Sequence, residues 1–277
     1  MEIMQGKRCL ITGANSGIGK ETAKALAQMG ADVIMVCRNA EKGQAALTEL
    51  VASTGNDKAV LRTCDLASLK QIQSLARRLE TEFDHLDVLI NNAGVYQKQR
   101  QISADGFELM FAVNQLAPLA LSQELQGLLK QAQAARIVNV SSMMHQWGKV
   151  DFDDLQSHKR YSAMRVYSTS KLEVLLTSYQ LARELAGIAT VNALHPGIVG
   201  TNLQSNPSWA RPFMTSPAKG AATSIYLASS AEVEGQTGLY FSAKKPKASS
   251  PDSYDQPVGE KLVQQSRVLL ETVWARA

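Results

Sequence analysis

Cysteine is scarce in this sequence, and long apolar runs are missing from it. The three cysteines, Cys9, Cys37 and Cys64, are odd in number and lack CxxC spacing, and each falls at or near the end of a predicted strand. The sequence therefore does not support a disulfide framework and indicates buried thiols in a reducing compartment. No run approaches the ~18–20 apolar residues that a membrane span needs, and about six residues precede the first predicted strand. We therefore expect a soluble, cytoplasmic protein without a membrane span.

An excess of charge of one sign is also missing. The net charge is +4 over 277 residues, and the lysines and arginines are scattered. This pattern does not indicate a nucleic-acid-binding surface. His145 and His195 lack a second metal-type ligand at helical or loop spacing, so we predict no metal site and a structural role for both histidines.

Short apolar strands alternate with helical segments of about 10–15 residues throughout the chain, a pattern that predicts a parallel sheet covered by helices on both faces. No linker interrupts the repeat, so residues 1–277 are expected to form a single α/β domain with a doubly wound sheet of about seven strands. One long helix is predicted for residues 106–129. The Pro/Ser-rich stretch 244–257 is predicted to be a flexible surface loop, with a segment that folds over a ligand as the alternative.

A glycine-rich turn joins the first strand to the first helix. Glycines let the backbone approach a ligand, and the free amides and dipole of a helix N-terminus attract negative charge, so the turn is typical of a pyrophosphate site. A tight turn without a ligand is the alternative. The predicted phosphate-binding residues are Gly13, Asn15, Ser16, Gly17, Ile18 and Gly19.

The ends of the next strands supply further candidates for a dinucleotide site. Arg38 ends the second strand, where an acid would bind the ribose 2′-hydroxyl; an arginine there favours a 2′-phosphate, so we predict NADP rather than NAD. A surface arginine that caps the strand is the alternative. Asp65 and Leu66 follow the third strand and are placed to contact an adenine. The fourth strand runs into a small-residue turn that contains Asn91, Ala93 and Gly94.

Tyr167 and Lys171 lie four residues apart at the head of a predicted helix, which stacks them on one face. An ammonium roughly 6 Å from a phenol favours the phenolate and lowers the tyrosine pKa from ~10 toward the working range. The pair therefore predicts a proton-transfer device, with a surface lysine beside a half-buried tyrosine as the alternative. Pro118, four residues after Asn114, predicts a distorted turn in which Asn114 either holds a water or is satisfied within a kink.

In this order and at these separations, the motifs resemble the short-chain dehydrogenase/reductase family, whose members have a Rossmann fold, over essentially the whole chain. The residues that carry the resemblance are Thr12, Gly13, Gly17, Gly19, Asn91, Asn92, Ala93, Gly94, Asn114, Ser142, Tyr167, Lys171, Pro196 and Gly197. The long interval between Ser142 and Tyr167, with its VDFDDL segment, is similar to the retinol-dehydrogenase-like branch.

The resemblance implies a mechanism. Nicotinamide exchanges hydride with a carbonyl carbon, Tyr167 donates a proton to the oxygen or acts as base in reverse, and Ser142 binds the same oxygen. Lys171 lowers the pKa of Tyr167 and binds the nicotinamide ribose, while Asn114 holds a water that links Lys171 to solvent. The remaining implied cofactor contacts are Asn91 and Ala93 on the adenosine and ribose side, and Pro196, Gly197, Val199 and Thr201 on the nicotinamide and phosphate side.

The predicted function is NADP-dependent oxidoreduction of a lipophilic aldehyde, ketone or retinol-like alcohol. Segments 143–164 and 198–217 are expected to roof the substrate pocket with Met143, Met144, Trp147, Trp209 and Phe213, unless these side chains only anchor loops. A dinucleotide-sensing regulator and a reductase of an activated C=C bond are the alternatives. Apolar residues on more than one stripe of the Tyr167 helix, together with the pairing of family members through this helix and the Asn114 helix, predict a homodimer or homotetramer.

Overall fold

The computed structural model describes residues 3–197 and 215–275, in which strands and helices alternate. The strands are β1 (Arg8–Thr12), β2 (Asp32–Cys37), β3 (Val60–Thr63), β4 (Val88–Asn91), β5 (Ala135–Val140), β6 (Ala189–His195), β7 (Tyr240–Ser242) and β8 (Lys245–Lys247). The α-helices are α1 (Gly17–Gln28), α2 (Ala40–Thr54), α3 (Leu69–Glu82), α4 (Ala117–Glu124), α5 (Gln126–Lys130), α6 (Ala163–Glu184), α7 (Pro217–Ser229) and α8 (Gln256–Trp274). A π-helix spans Phe111–Leu116, and 3-10 helices span Met143–Trp147, Ala231–Val233 and Pro251–Tyr254.

The strands form one sheet in the order β3-β2-β1-β4-β5-β6-β7-β8. Every neighbouring pair is parallel except β7 and β8, which are antiparallel. The strand order reverses between β1 and β4, and ligands of doubly wound sheets bind at such a switch point. The predicted α/β Rossmann-type fold is thus confirmed. The described strands number eight rather than about seven, because Lys245–Lys247 adds an antiparallel edge strand.

Alternation along the central strands divides the core between the two faces of the sheet. In β1, Leu10 belongs to a cluster with residues of α3, α4 and α6, whereas Cys9 and Ile11 belong to a cluster with residues of α1, α2 and α7. Successive side chains of a strand point to opposite faces, so both faces must be apolar when helices cover both. The three cysteines are free and buried, as predicted.

The stretch 244–257 is not the flexible loop that its composition predicts. It contains β8 and the 3-10 helix Pro251–Tyr254, and it is anchored to α6. The Tyr179 hydroxyl lies 2.7 Å from the Ser249 hydroxyl, and the ring of Tyr254 stacks on Tyr179 with centroids 5.2 Å apart. Pro251 begins the short helix, whose Ser253 is buried, and the tyrosine stack holds the helix against α6. Low hydrophobicity therefore does not mean disorder here.

The helix predicted for residues 106–129 is divided into three. The π-helix comes first, then α4, and a turn at Leu125 separates α4 from α5. Pro118 lies in the first turn of α4 and has no N–H to donate to the carbonyl of Asn114, so the α-helical hydrogen-bond pattern cannot pass through this point. The π-turn is the form that the predicted distortion takes.

The apolar face of α6 that points away from the sheet is covered within the chain. Leu172 and Leu176 of α6 pack with Leu262 of α8, and α8 runs along α6 over much of its length. The second apolar stripe, one basis for predicting a homodimer or homotetramer, is therefore already occupied by α8. The oligomeric state stays a prediction. Among the residues described, no helix combines the length and the apolar character that crossing a bilayer requires.

Candidate active site

A hydrogen-bonded hub at the switch point joins the ends of β1 and β4. The hydroxyl of Thr12 donates to the carbonyl of Ile90 (3.3 Å) and accepts the amides of Asn92 (2.9 Å) and Ala93 (3.0 Å). The side chain of Asn92 donates back to the carbonyl of Thr12 at 2.8 Å. Thr12 and Asn92 both belong to the motifs that carry the family resemblance, but neither is predicted to act in the site. Their positions, one directly before the first glycine and one inside the small-residue turn, are the signal in the sequence.

The glycine turn is a cradle that side chains would fill. Gly13 has φ +67°, and a Cβ on Gly19 would lie 2.4 Å from the carbonyl oxygen of Gly13. Helix α1 begins at Gly17, and its N-cap residue Ser16 makes no side-chain cap hydrogen bond. Amides of the first turn are thus left for a ligand, and the cradle fits a pyrophosphate. Asn15 and Ile18 lie half-buried in the same turn.

The predicted adenosine side lies at the ends of β2 and β3. Cys37 of β2 is opposite Thr63 of β3, so Arg38 and Asp65 leave the sheet at neighbouring edges. Arg38 is exposed. The carboxylate of Asp65 accepts the amide of Ala67 at 3.0 Å and so shapes the turn. Leu66 is partly buried against the core.

Asn91 and Gly94 are both predicted to contact the cofactor. The side chain of Asn91 is used inside the sheet, whereas Gly94 lies beside predicted catalytic groups. The buried side chain of Asn91 donates to Asn139 of β5 (2.8 Å), which in turn donates to Ser178 of α6 (2.9 Å), so Asn91 braces the sheet against α6. Gly94 lies between two predicted catalytic groups. A Cβ there would be 3.3 Å from Oδ1 of Asn114 and 3.4 Å from Nζ of Lys171.

Asn114 is held inside the π-helix by the segment that follows Gly94. Its Oδ1 accepts the amide of Val95 (2.8 Å), and its Nδ2 donates to the carbonyl of Val95 (3.0 Å) and to the hydroxyl of Ser170 (3.0 Å). Both amide hydrogens are therefore used within the protein. The water contact predicted for Asn114 stays a prediction.

Of the two serines that follow β5, Ser142 lies at Tyr167. Ser141 is buried and donates to the backbone carbonyl of Lys171 at 2.7 Å, which makes it a brace for α6. Ser142 is half-buried, accepts the amide of Met144 at 3.2 Å, and forms a hydrogen bond with Tyr167. The residue aligned with the family's serine is thus beside the phenol.

Tyr167 and Lys171 share one face of α6, with Nζ of Lys171 5.7 Å from the centre of the phenol ring. Burial raises the pKa of Tyr167 to about 12, and the hydrogen bond with Ser142 only partly offsets this. Burial also lowers the pKa of Lys171 to about 8, and its ammonium donates to the carbonyl of Val140 at 3.1 Å. Desolvation of the phenol therefore outweighs the effect of the lysine, and the tyrosine pKa is shifted in the direction opposite to the fall expected from the sequence.

An apolar cluster surrounds Tyr167. The ring of Tyr96 meets it edge to face with centroids 5.5 Å apart. The other members of the cluster are Val95, Met110, Met144, Tyr161 and Val166. Met144 is predicted from the sequence to line the pocket, whereas Tyr96 and Tyr161 are not. The position of Tyr96, an aromatic residue just beyond the small-residue turn, is the sequence feature that points to it.

Two other side chains of segment 143–164 lie on the surface, since Met143 is 36% and Trp147 60% exposed. Pro196 and Gly197, which follow β6, are half-buried, and Gly197 has φ +89°. Val199, Thr201, Trp209 and Phe213 lie outside the described residues. In the described ranges, no three His, Cys, Asp or Glu side chains meet in a group that could hold a metal ion.

The sequence of this chain is similar to those of known proteins. A family model described as short chain dehydrogenase matches residues 7–210. Retinol dehydrogenase 14 of Homo sapiens is 41% identical over 295 residues, covering 97% of this chain and 87% of the relative. Retinol dehydrogenase 12 of Homo sapiens is 40% identical over 279 residues, covering 98% and 88%.

Solved structures show the same fold. A putative uncharacterized protein from Mycobacterium paratuberculosis matches with a TM-score of 0.80 and 32% identity, covering 97% of this chain and 94% of that one. A short chain dehydrogenase from Shigella flexneri, solved in complex with NADP, matches with a TM-score of 0.73 and 24% identity, covering 88% and 99%.

Replacing Gly19 with Ala should destabilise the protein by about 1–3 kcal/mol, because the new Cβ meets the backbone oxygen of Gly13 and the turn must shift. The same shift should weaken binding of NADPH. Gly127→Ala is the matched control: there the nearest atom is a carboxylate oxygen of Glu80 at 3.2 Å, the end of a flexible side chain. Thermal unfolding measures the stability, and NADPH fluorescence measures the affinity. If Gly19→Ala and Gly127→Ala had equal stability and equal NADPH affinity, the glycine turn could not be the tight phosphate-binding turn that we describe.

Replacing Lys171 with Met should remove a rise of stability with pH. The pKa of Lys171 is about 8 in the folded protein against 10.5 for an ordinary lysine. Between these values the unfolded state holds more protons, so the free energy of unfolding rises with pH, by at most about 3 kcal/mol. Urea unfolding across this range measures the slope. Lys149→Met removes an exposed lysine and should keep the wild-type slope; an unchanged slope in Lys171→Met would assign the titration elsewhere.

Proposed function

The chain belongs to the short chain dehydrogenase family, and on that basis we propose that it is an NADP(H)-dependent oxidoreductase acting on the carbonyl or alcohol group of a lipophilic small molecule. The observation that carries this proposal is the arrangement of four side chains. Ser142 lies beside Tyr167, and Lys171 shares one face of α6 with Tyr167. Gly94 lies between Lys171 and Asn114. These groups lie at the carboxyl edge of the sheet, next to a cradle that fits a pyrophosphate.

Tyr167, Ser142 and Lys171 each have a separate role in the proton transfer. When bound, the nicotinamide supplies or accepts the hydride. The high pKa of Tyr167 keeps its proton in place until a substrate oxygen arrives, and Tyr167 then donates that proton in reduction. Ser142, already hydrogen-bonded to Tyr167, orients the same oxygen. Lys171, whose pKa is about 8, is cationic at neutral pH and stabilises the phenolate that remains.

The residues beside Tyr167 support a lipophilic substrate. Tyr96, Met110 and Met144 present aromatic and thioether groups around the phenol, and apolar linings of this kind bind apolar ligands. Curated relatives at about 40% identity are named as retinol dehydrogenases. The substrate class that we propose is therefore a lipophilic aldehyde or ketone, or a retinol-like alcohol in the reverse direction.

The edge of β2 supports NADP as the cofactor. Arg38 follows this strand and is exposed, so its guanidinium is accessible to a 2′-phosphate. Lys42, in the first turn of α2, is a second exposed cation nearby in sequence. A cytoplasmic location and a homodimer or homotetramer stay predictions from the sequence.

Replacing Tyr167 with Phe should lower the turnover of NADPH with decanal or all-trans-retinal at least ~100-fold, because the variant has no proton to donate. Its affinity for NADPH should stay within about two-fold of wild type, since the ring and its packing remain. The rate of NADPH oxidation gives the turnover, and fluorescence titration gives the affinity for NADPH. Wild-type turnover in the variant would refute the role of Tyr167. Binding of NADPH without turnover in the wild type, against aldehydes and activated C=C substrates alike, would favour a dinucleotide-sensing regulator.

Replacing Arg38 with Asp should weaken NADPH binding by about 10- to 100-fold, the loss expected for one hydrogen bond to a charged group. NADH binding should be unchanged or improved, because an acid can bind the ribose 2′-hydroxyl. Arg160→Asp makes the same charge change at another exposed position and should leave both affinities alone. Equal loss of NADPH and NADH affinity would exclude Arg38 as the group that reads the 2′-phosphate.

A further inference from the structure

Two buried or half-buried histidines hold one peptide group, the one that joins Ser142 to Met143. Nδ1 of His145 lies 2.6 Å from the carbonyl oxygen of Ser142. Nδ1 of His195 accepts the amide of Met143 at 3.2 Å. Both hydrogen-bonding groups of this peptide are thus bound by imidazoles, and the peptide is the one that leaves the serine beside Tyr167.

The hydrogen bonds fix the tautomer of each imidazole. The amide of Ser250 donates to Nε2 of His145 at 3.1 Å, so Nε2 is an acceptor and Nδ1 carries the hydrogen that binds the carbonyl of Ser142. His195 must be the opposite tautomer, because its Nδ1 accepts. Burial lowers the pKa of His145, and burial, His145 and Lys247 together lower the pKa of His195 to about 4. Both rings are therefore neutral at neutral pH.

His145 is well placed to hold a position. It is 1% exposed, and its ring packs edge to face on Tyr240 with centroids 5.1 Å apart. Its partner Ser250 belongs to the segment that Tyr179 anchors through Ser249. A continuous set of contacts therefore runs from α6 through this segment and His145 to the backbone of the serine.

We propose that His145, oriented by the backbone amide of Ser250, is a positioning residue that fixes the Ser142 hydroxyl for catalysis, with His195 holding the other side of the same peptide. Rotation of the Ser142–Met143 peptide changes ψ of Ser142, which is 157°. It also moves the amide of Met144 that the serine hydroxyl accepts. A displacement of about 1 Å in a reacting group can cost ~100-fold in rate. The proposal rests on the proposed function, because the position of Ser142 matters only if Ser142 binds the reacting oxygen.

One substitution removes the orienting hydrogen bond and little else. Ser250 has φ −62°, the value that proline imposes, and Ser250→Pro deletes the amide hydrogen. The hydroxyl of Ser250, lost at the same time, has no hydrogen-bond partner in the described residues. Ser250→Ala deletes that hydroxyl alone and keeps the amide, so it is the matched control.

We expect Ser250→Pro to lower kcat for NADPH and decanal by about 10- to 100-fold while the Kd for NADPH stays within two-fold of wild type. Ser250→Ala should keep kcat within two-fold. Equal kcat values for Ser250→Pro and Ser250→Ala would overturn the proposal.

Nitrogen-15 NMR of the imidazoles gives a readout that does not depend on turnover. The wild type should show His145 with its hydrogen on Nδ1 and His195 with its hydrogen on Nε2. Ser250→Pro should raise the pKa of His145, because the lost amide stabilised the neutral ring. The reverse tautomer of His145, or a pKa unmoved by Ser250→Pro, would overturn the proposal.

A failure of the proposed function would be recognised separately, by Tyr167→Phe with wild-type turnover. If Ser250→Pro does not fold, His145→Gln and His145→Leu decide instead. Glutamine can donate and accept in place of the imidazole, so its kcat should exceed that of the leucine variant at least ~10-fold, and equal kcat values would overturn the proposal.

Discussion

The four hydrogen bonds between Thr12 and the end of β4 are the interaction on which the site depends. Parallel strands of a doubly wound sheet end at one edge, but their loops are free to diverge beyond it. Here the hydroxyl of Thr12 and the side chain of Asn92 close the gap between the two central loops. The glycine cradle and Gly94 are thereby kept in a fixed relation, and Gly94 sets the distance to Asn114 and Lys171.

Burial sets the starting protonation of the site. Tyr167 and Lys171 are both removed from water, and in each case desolvation favours the neutral form. The site therefore keeps a protonated phenol beside an ammonium whose pKa is about 8. A general acid that holds its proton and a cation that can respond to a change in local charge are suited to a reaction that runs in both directions.

Much of the fold follows from the sequence because parallel strands covered on both faces must be continuously apolar. The fifth strand is an example, since five of the six residues of β5, Ala135–Val140, are buried. Local signals also locate the glycine turn and the Tyr167 helix. The edge strand β8 has no such signal, since Lys245–Lys247 is exposed throughout and is a strand only because β7 offers it partners.

The site was predictable where a residue acts through its own chemistry, and less so where it acts through a neighbour. The i, i+4 spacing of Tyr167 and Lys171 is visible in the sequence, but the burial that raises the phenol pKa is a tertiary property. Asn91 is in a recognisable turn, yet its side chain turns toward Asn139 because a sheet neighbour offers an acceptor there. The contact of His145 with Ser250 joins residues far apart in sequence, and no local pattern encodes it.

The packing of α8 on α6 affects the order in which parts of the protein fold during translation. Leu262 packs on Leu172 and Leu176, so the helix that carries Tyr167 and Lys171 keeps an apolar stripe uncovered until α8 has been synthesised. Contacts of such long sequence separation form late and slow folding. During translation the nascent chain therefore exposes an apolar stripe of α6, a surface prone to aggregation, until α8 has emerged.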